Sequence, residues 1–198
     1  SGLVQSTPTE ITKIVTTQDA QQVVAIANAT KTPITTVGSS HSHSFLVQNS
    51  IGIIALTDQI NGPITINESG MSATIPSGMK LREASELLWK KGYAFPNQGD
   101  VDVQSIAGLI CTGVHGTGLK HPSISTHVQD ATLVSSTGDV FKASENRETL
   151  EATRLNLGAL GIIMDVTLSV VPCFFLQEQN WKEKADLLVE KIDLLAEG

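Results

Sequence analysis

The residues best suited to chemistry in this chain sit in the heptapeptide GSSHSHS, 38–44, where two of the five histidines stand two apart among four serines. On extended backbone, side chains at i and i+2 point the same way. His41 and His43 therefore make a metal-compatible pair that His115, His121 or His127 could complete. The surroundings argue against a metal: no carboxylate or cysteine stands at ligand spacing, and no H-E-x-x-H motif occurs. A general base is a second option, but the sequence names no nucleophile for it to serve. A cofactor anchor and a plain polar loop remain open. Asp100 and Asp102 are also two apart, in GDVDV. As an acid–base couple they lack supporting groups, and a capped turn entering a helix at Ser105 is the favoured reading.

Glycine recurs among small residues in two further segments, SIAGLICTGVHGTG (105–118), which also carries hydroxyls, and LGALGII (157–163), which carries none. Small residues let a ligand approach the main chain, and successive N–H groups in turns form concave anion sites. Each segment alone reads most simply as a turn between strands, and three in one domain weaken that reading. No G-x-G-x-x-G follows the first strand and no G-K-[ST] occurs, so neither a Rossmann fingerprint nor a P-loop is present.

These segments must be positioned by regular elements. ITKIV (11–15) has strand-like β-branched alternation, and Thr17 is placed to cap a helix over Asp19–Ala29. Lys31-Thr32-Pro33 ends that helix and ITTV (34–37) is a second strand, giving β-α-β before the histidine loop. Apolar 51–56 follows, then a hairpin of 64–67 with 72–76. Leu81, Ala84, Leu87 and Leu88 line one face of a helix over Lys80–Lys91, which Gly92 stops. The stretch 99–118 has no clean period and should hold a short helix between glycine turns. Residues 127–143 read as a hairpin, 145–156 as a polar helix, and 162–172 as one strand closed by Pro172. An amphipathic helix is expected over Trp181–Ala196, with Trp181, Leu188, Ile192 and Leu195 on one side. The interleaving predicts a mixed α+β architecture in two lobes that part near 60–70.

Composition excludes several classes. Of the 198 residues 40% are hydrophobic and 17% charged, an ordinary globular balance. The net charge is −7 and no basic stripe is present, which disfavours nucleic acid. Apolar runs are short and broken, so no membrane span is expected. The two cysteines, Cys111 and Cys173, are expected as buried free thiols. Aromatics are only 4%, against abundant Gly, Ser and Thr, as in a chain that wraps a polar ligand with its main chain.

Taken in order, VGSSHSHS, GDVDVQSIAGLICTGVHGTG and LNLGALGIIMDVTLSVVP resemble the FAD-binding domain of the vanillyl-alcohol oxidase superfamily, in its branch of sugar-1,4-lactone and alditol oxidases. The resemblance spans roughly residues 10–198. It implies an α+β fold, a two-lobed PCMH-type FAD-binding domain with a small β-α-β lobe and a larger mixed sheet flanked by helices. The implied boundaries are 1–65 and 66–172 for the two lobes and 173–198 for the start of a substrate-binding cap. It implies that Gly38, Ser39, Ser40, His41, Ser42, His43 and Ser44 form the diphosphate loop. His41 would be the histidine that bonds covalently to the 8α-methyl of the flavin, and His43 holds a position that varies. Asp100, Ser105, Ile106, Gly108, Thr112, His115, Gly116 and Gly118 would form a second cofactor-binding block, and Gly161 and Ile163 would meet the adenine side.

The resemblance further implies hydride transfer from a hydroxyl carbon of a sugar lactone or polyol to flavin N5, with reoxidation by O2. Most of the cap, including its H-W-x-K motif, is not in the sequence. The chain is therefore expected to bind FAD yet to be a truncated and poor enzyme alone, with a non-catalytic flavin-binding or interaction module as the second reading.

Overall fold

The computed structural model describes residues 5–42 and 44–192. The chain opens with strand β1 (Glu10–Lys13), helix α1 (Thr17–Thr30) and strand β2 (Ile34–Val37). Strand β3 (Ile53–Leu56) inserts between the first two, in the order β1-β3-β2 with every pair parallel. The cap of α1 is Thr16, one residue before the threonine expected from sequence. Its hydroxyl accepts from Asp19 N, while Asp19 Oδ2 accepts from Thr16 N at 2.8 Å and Val15 N at 3.1 Å. Those accepted bonds hold the Asp19 carboxyl below its ordinary range. Lys31, at φ 54°, ends the helix in the left-handed region.

The second half follows as β4 (Thr65–Asn67), β5 (Ser72–Pro76), α2 (Leu81–Lys90), β6 (Tyr93–Ala94) and α3 (Ile106–Cys111). Next come β7 (Val128–Val134), β8 (Val140–Lys142), α4 (Arg147–Thr153) and β9 (Ile162–Ser169). The last elements are β10 (Val171–Pro172) and α5 (Ala185–Glu190). Five strands form one antiparallel sheet in the order β4-β5-β9-β7-β8. Residues 162–172, read from sequence as a single strand, divide: Val170 N donates to Met71 O, and Val171–Pro172 then pairs with β6 instead. The terminal helix is shorter than expected among the described residues. Trp181 precedes it, and Leu195 lies outside them.

Alternation along β7 and β9, reset by register shifts between Val128 and Asp130 and between Thr132 and Leu133, sorts their side chains to two faces. Leu133, Ile163, Val166 and Leu168 join the core under α2 and α3, where Leu81, Leu88, Ile106 and Leu109 are fully buried. Val134, Ile162 and Met164 project the other way and share a core with Ile14, Ala20, Val23, Val24 and Ala27, mostly from α1. Beyond the reach of α1 this second face turns polar. Thr74 and Thr167 hydroxyls pair at 2.8 Å, Thr132 donates to Asp165 at 2.8 Å, and Lys142 reaches Asp165 at 3.5 Å and Asp130 at 3.6 Å.

Both cysteines are free; Cys111 is buried, but Cys173 is exposed because it follows β10, past the edge of the core. Among the described residues no helix is long and apolar enough to cross a membrane.

Since α1 packs against both sheets, a cavity in that shared core should destabilise the whole molecule. Ile162→Ala is expected to cost about 2–5 kcal/mol in urea unfolding while leaving a single transition. A second transition would show instead that the sheets unfold separately.

Candidate functional site

A cavity of about 580 Å³ lies between the two sheets. The loop leaving β2 forms one wall, with Gly38, Ser39, Ser40, His41 and Ser42 all lining it. The N-cap Ser105 and Gly108 of α3 also line it, and Thr112 follows the end of that helix. The turn before β9 supplies Gly158 and Gly161, and β9 itself Ile163. Thus the three glycine-bearing segments, scattered over more than a hundred residues of sequence, meet around one space.

The close approach is enforced locally. A Cβ on Gly38 would collide with Ser105 Oγ, so only glycine lets this loop pack on the start of α3. Gly161, at φ 133°, sits where a Cβ would strike the Val134 carbonyl oxygen. Two non-glycine residues lining the cavity, Ser40 and Leu157, both hold φ 52°. Such left-handed backbone costs on the order of 1 kcal/mol or more each and concentrates at ligand sites.

Several residues singled out from sequence lie off this wall. Ser44 caps the short turn Phe45–Val47 and pairs its hydroxyl with that of Ser42 at 3.0 Å. Ile106 points into the core and is fully buried. His115 contacts the Gly116 carbonyl through Nδ1 at 2.8 Å, Gly116 packs tightly on Asn97 and Gln98, and Gly118 lies against the His121 ring. Asp100 is exposed, and Asp102 is held by Arg82 through two contacts of 2.8 and 2.9 Å, so the two carboxylates form no acid–base couple. The arginine keeps the Asp102 carboxyl below its ordinary range. His43 lies outside the described residues.

Sequence reasoning missed Thr35 and Thr36 on β2, Thr57 after β3, and Val101, Gln104 and Cys111, all on the cavity wall. Thr35 and Thr36 were legible only as β-branched strand residues. Among the described residues no group of three or more His, Cys, Asp or Glu is placed to hold a metal ion.

Among the described residues the wall bears no lysine, arginine, aspartate or glutamate. Its polar groups are main-chain amides, hydroxyls, the His41 imidazole, the Gln104 carboxamide and the Cys111 thiol. Ser39 Oγ and Gln104 Oε1 are buried without a hydrogen-bond partner, a state that costs roughly 1–3 kcal/mol per group. Strained turns, glycine-only contacts and orphaned polar atoms around one long cavity fit an extended polar ligand, such as a dinucleotide diphosphate, held by neutral donors.

The comparisons with known proteins name that ligand. A family model described as "FAD binding domain" matches residues 8–144. The chain belongs to this FAD-binding family. It is 33% identical over 184 residues to L-gulono-1,4-lactone dehydrogenase of Mycobacterium tuberculosis, covering 92% of this chain and 42% of that protein. It is 36% identical over 159 residues to D-arabinono-1,4-lactone oxidase of Kluyveromyces lactis, covering 77% and 30%. The chain thus spans well under half the length of these relatives.

Solved structures share the fold. The 6-hydroxy-D-nicotine oxidase of Arthrobacter nicotinovorans superposes with a TM-score of 0.72 at 24% identity, over 82% of this chain and 36% of that one. BBE-like 1 of Physcomitrella patens gives 0.75 at 21% identity, over 83% and 37%. The architecture is the two-lobed α+β, PCMH-type FAD-binding fold.

Cys111 lines the FAD-sized cavity, and burial pushes its thiol up to about 11, against the smaller opposing effects of Gly158 N–H and Asn156. At pH 8 the thiolate fraction is then on the order of one in a thousand. Iodoacetamide at pH 8 should therefore label Cys173 alone in the native chain and both cysteines after denaturation, read by mass spectrometry. Equal labelling rates in the native chain would contradict the burial of Cys111.

Proposed function

We propose that this chain is the FAD-binding portion of an oxidoreductase that acts on a hydroxyl-bearing carbon of a sugar lactone or polyol. The observation that carries the proposal is the cavity in which the three glycine-bearing segments meet, with no Lys, Arg, Asp or Glu among the described residues of its wall. The family match gives the ligand, and the names of the lactone-oxidising relatives support the choice of substrate class.

In this reading the loop 38–42 cradles the diphosphate. Ser39 Oγ, without a partner in the protein, donates to a phosphate oxygen, and the main-chain N–H groups of the left-handed turn at Ser40 converge on the same anion. Ser42 adds a hydroxyl donor, while Gly108 admits the ligand close to α3. Gly161 and Ile163 border the adenine side, where the turn before β9 approaches α1. Bound flavin would supply the redox chemistry, taking a hydride at N5 and passing the electrons to dioxygen or another acceptor.

His41 would be the anchor. Its imidazole nitrogen would take the place of one hydrogen of the flavin 8α-methyl, with the two electrons and two protons released passing to dioxygen. Such a link would retain the cofactor and, by withdrawing electron density, raise its potential.

The lobes are proposed at 1–65 and 66–172, with 173–198 leading into a cap that supplies the substrate-binding face. Within the described part of that segment Phe175, Leu176 and Val189 are exposed, as expected of residues that pack on a further layer. Turnover of a sugar lactone or polyol accordingly depends on that cap.

The purified chain should be yellow, and its flavin should stay with the protein pellet after acid precipitation. The His41→Ala variant should fold and still bind FAD, but release it into the supernatant. Flavin retained in the pellet by that variant would move the anchor off His41, and a parent chain that takes up no FAD would sink the reading as a whole.

A further inference from the structure

Four side-chain polar atoms among the described residues are buried without a hydrogen-bond partner: Ser39 Oγ, Ser77 Oγ, Gln104 Oε1 and His127 Nε2. Only Ser39 and Gln104 line the cavity. Ser39 belongs to the loop already assigned to the diphosphate. Gln104 has no role in the reading above, and neither its type nor its size matches the small-residue pattern around it.

Its main chain is firmly held. The Gln104 carbonyl accepts from Leu81 N at 2.9 Å and the Asp102 carbonyl accepts from Arg82 N at 2.9 Å. The Arg82–Asp102 ion pair ties the same segment to the first turn of α2. The next residue, Ser105, packs on Gly38. A backbone fixed from both sides thus presents a long carboxamide at the cavity while leaving its oxygen unmatched.

An orphaned oxygen of this kind selects its partner. Phosphate oxygens are acceptors and cannot satisfy it. It requires an N–H or O–H. Position narrows the choice further. A second chamber of about 260 Å³ extends the cavity towards α1 and shares Ile34, Thr36, Gly158, Ala159 and Gly161 with it. Gln104 does not line that chamber. It lines the main cavity instead, with Val101 and Ser105.

Resting on the FAD reading, we infer that Gln104 is a flavin-binding residue. Its carboxamide turns into the cavity on binding and accepts a hydrogen bond from the flavin half of the cofactor, at a ribityl hydroxyl or the ring imide N–H. The unmatched oxygen in the free protein makes the expected signature unusual. Removing the carboxamide weakens flavin binding but does not destabilise the ligand-free chain.

The test uses the 198-residue chain with His41→Ala, so that flavin exchanges, and titrates it with FAD and with riboflavin by flavin fluorescence. Gln104→Met should bind both ligands about tenfold more weakly, the loss expected for leaving one donor of the bound ligand unpaired. The unfolding midpoint of its ligand-free form should be unchanged or higher. Gln104→Asn, which keeps the carboxamide on a shorter stem, should fall between parent and Met variant. Unchanged affinity overturns the inference. So does a lowered ligand-free midpoint, which would mark Gln104 as structural, or a loss confined to FAD, which would place the contact on the adenine half. A parent that binds neither flavin fails the FAD reading itself, before Gln104 is tested.

Discussion

The molecule depends on one helix being apolar enough to serve two sheets. Val23, Val24 and Ala27 of α1 share a core with Ile14 and Ile53 on one side and with Val134, Ile162 and Met164 on the other. Period-two alternation in β7 and β9 makes this possible, because adjacent residues such as Leu133 and Val134 enter different cores. Two carboxamides reinforce the joint at its rim. Gln21 donates to the Gly138 carbonyl and Asn28 to the Ser136 carbonyl, each at 2.8 Å. The spacing of the sheets, and hence the width of the cavity between them, follows from that packing.

The cavity is built from features that are unfavourable in the free protein. Left-handed Ser40 and Leu157 and the unmatched oxygens of Ser39 and Gln104 raise the energy of the ligand-free protein. They persist because the surrounding packing leaves the chain no other conformation. A ligand with complementary polar groups would relieve part of this cost.

Much of this was legible in the sequence, for identifiable reasons. The β-α-β start and the stripe of α2 were plain because one periodicity held over a whole element. The cap of α1 slipped by one residue because Thr16 and Thr17 are chemically alike, and only Asp19 reaching back to Thr16 separates them. The break at Val170 was invisible because the residue types stay strand-like while the pairing partner changes. At the site, Gly38–Ser42, Ser105–Thr112 and Gly161–Ile163, singled out around their glycines, all contribute to the cavity wall. The same pattern also marked His115–Gly118, which packs against Asn97, Gln98 and His121 and lies off the wall. Gln104 and the threonines of β2 left no such mark. A carboxamide or a strand hydroxyl becomes a cavity group only through the tertiary fold.

The absence of lysine and arginine from the cavity wall has a consequence for ionic strength. Sites that capture phosphates with fixed cations lose affinity as salt screens the attraction. Here the charge seen from a distance is the net −7 of the whole chain, which repels an anionic dinucleotide. The attractive groups are neutral dipoles that act only at contact. Moderate salt screens the repulsion, over about 10 Å at 0.1 M, and leaves the dipoles almost untouched. Capture of the cofactor is therefore helped by salt, the reverse of a lysine-lined phosphate site.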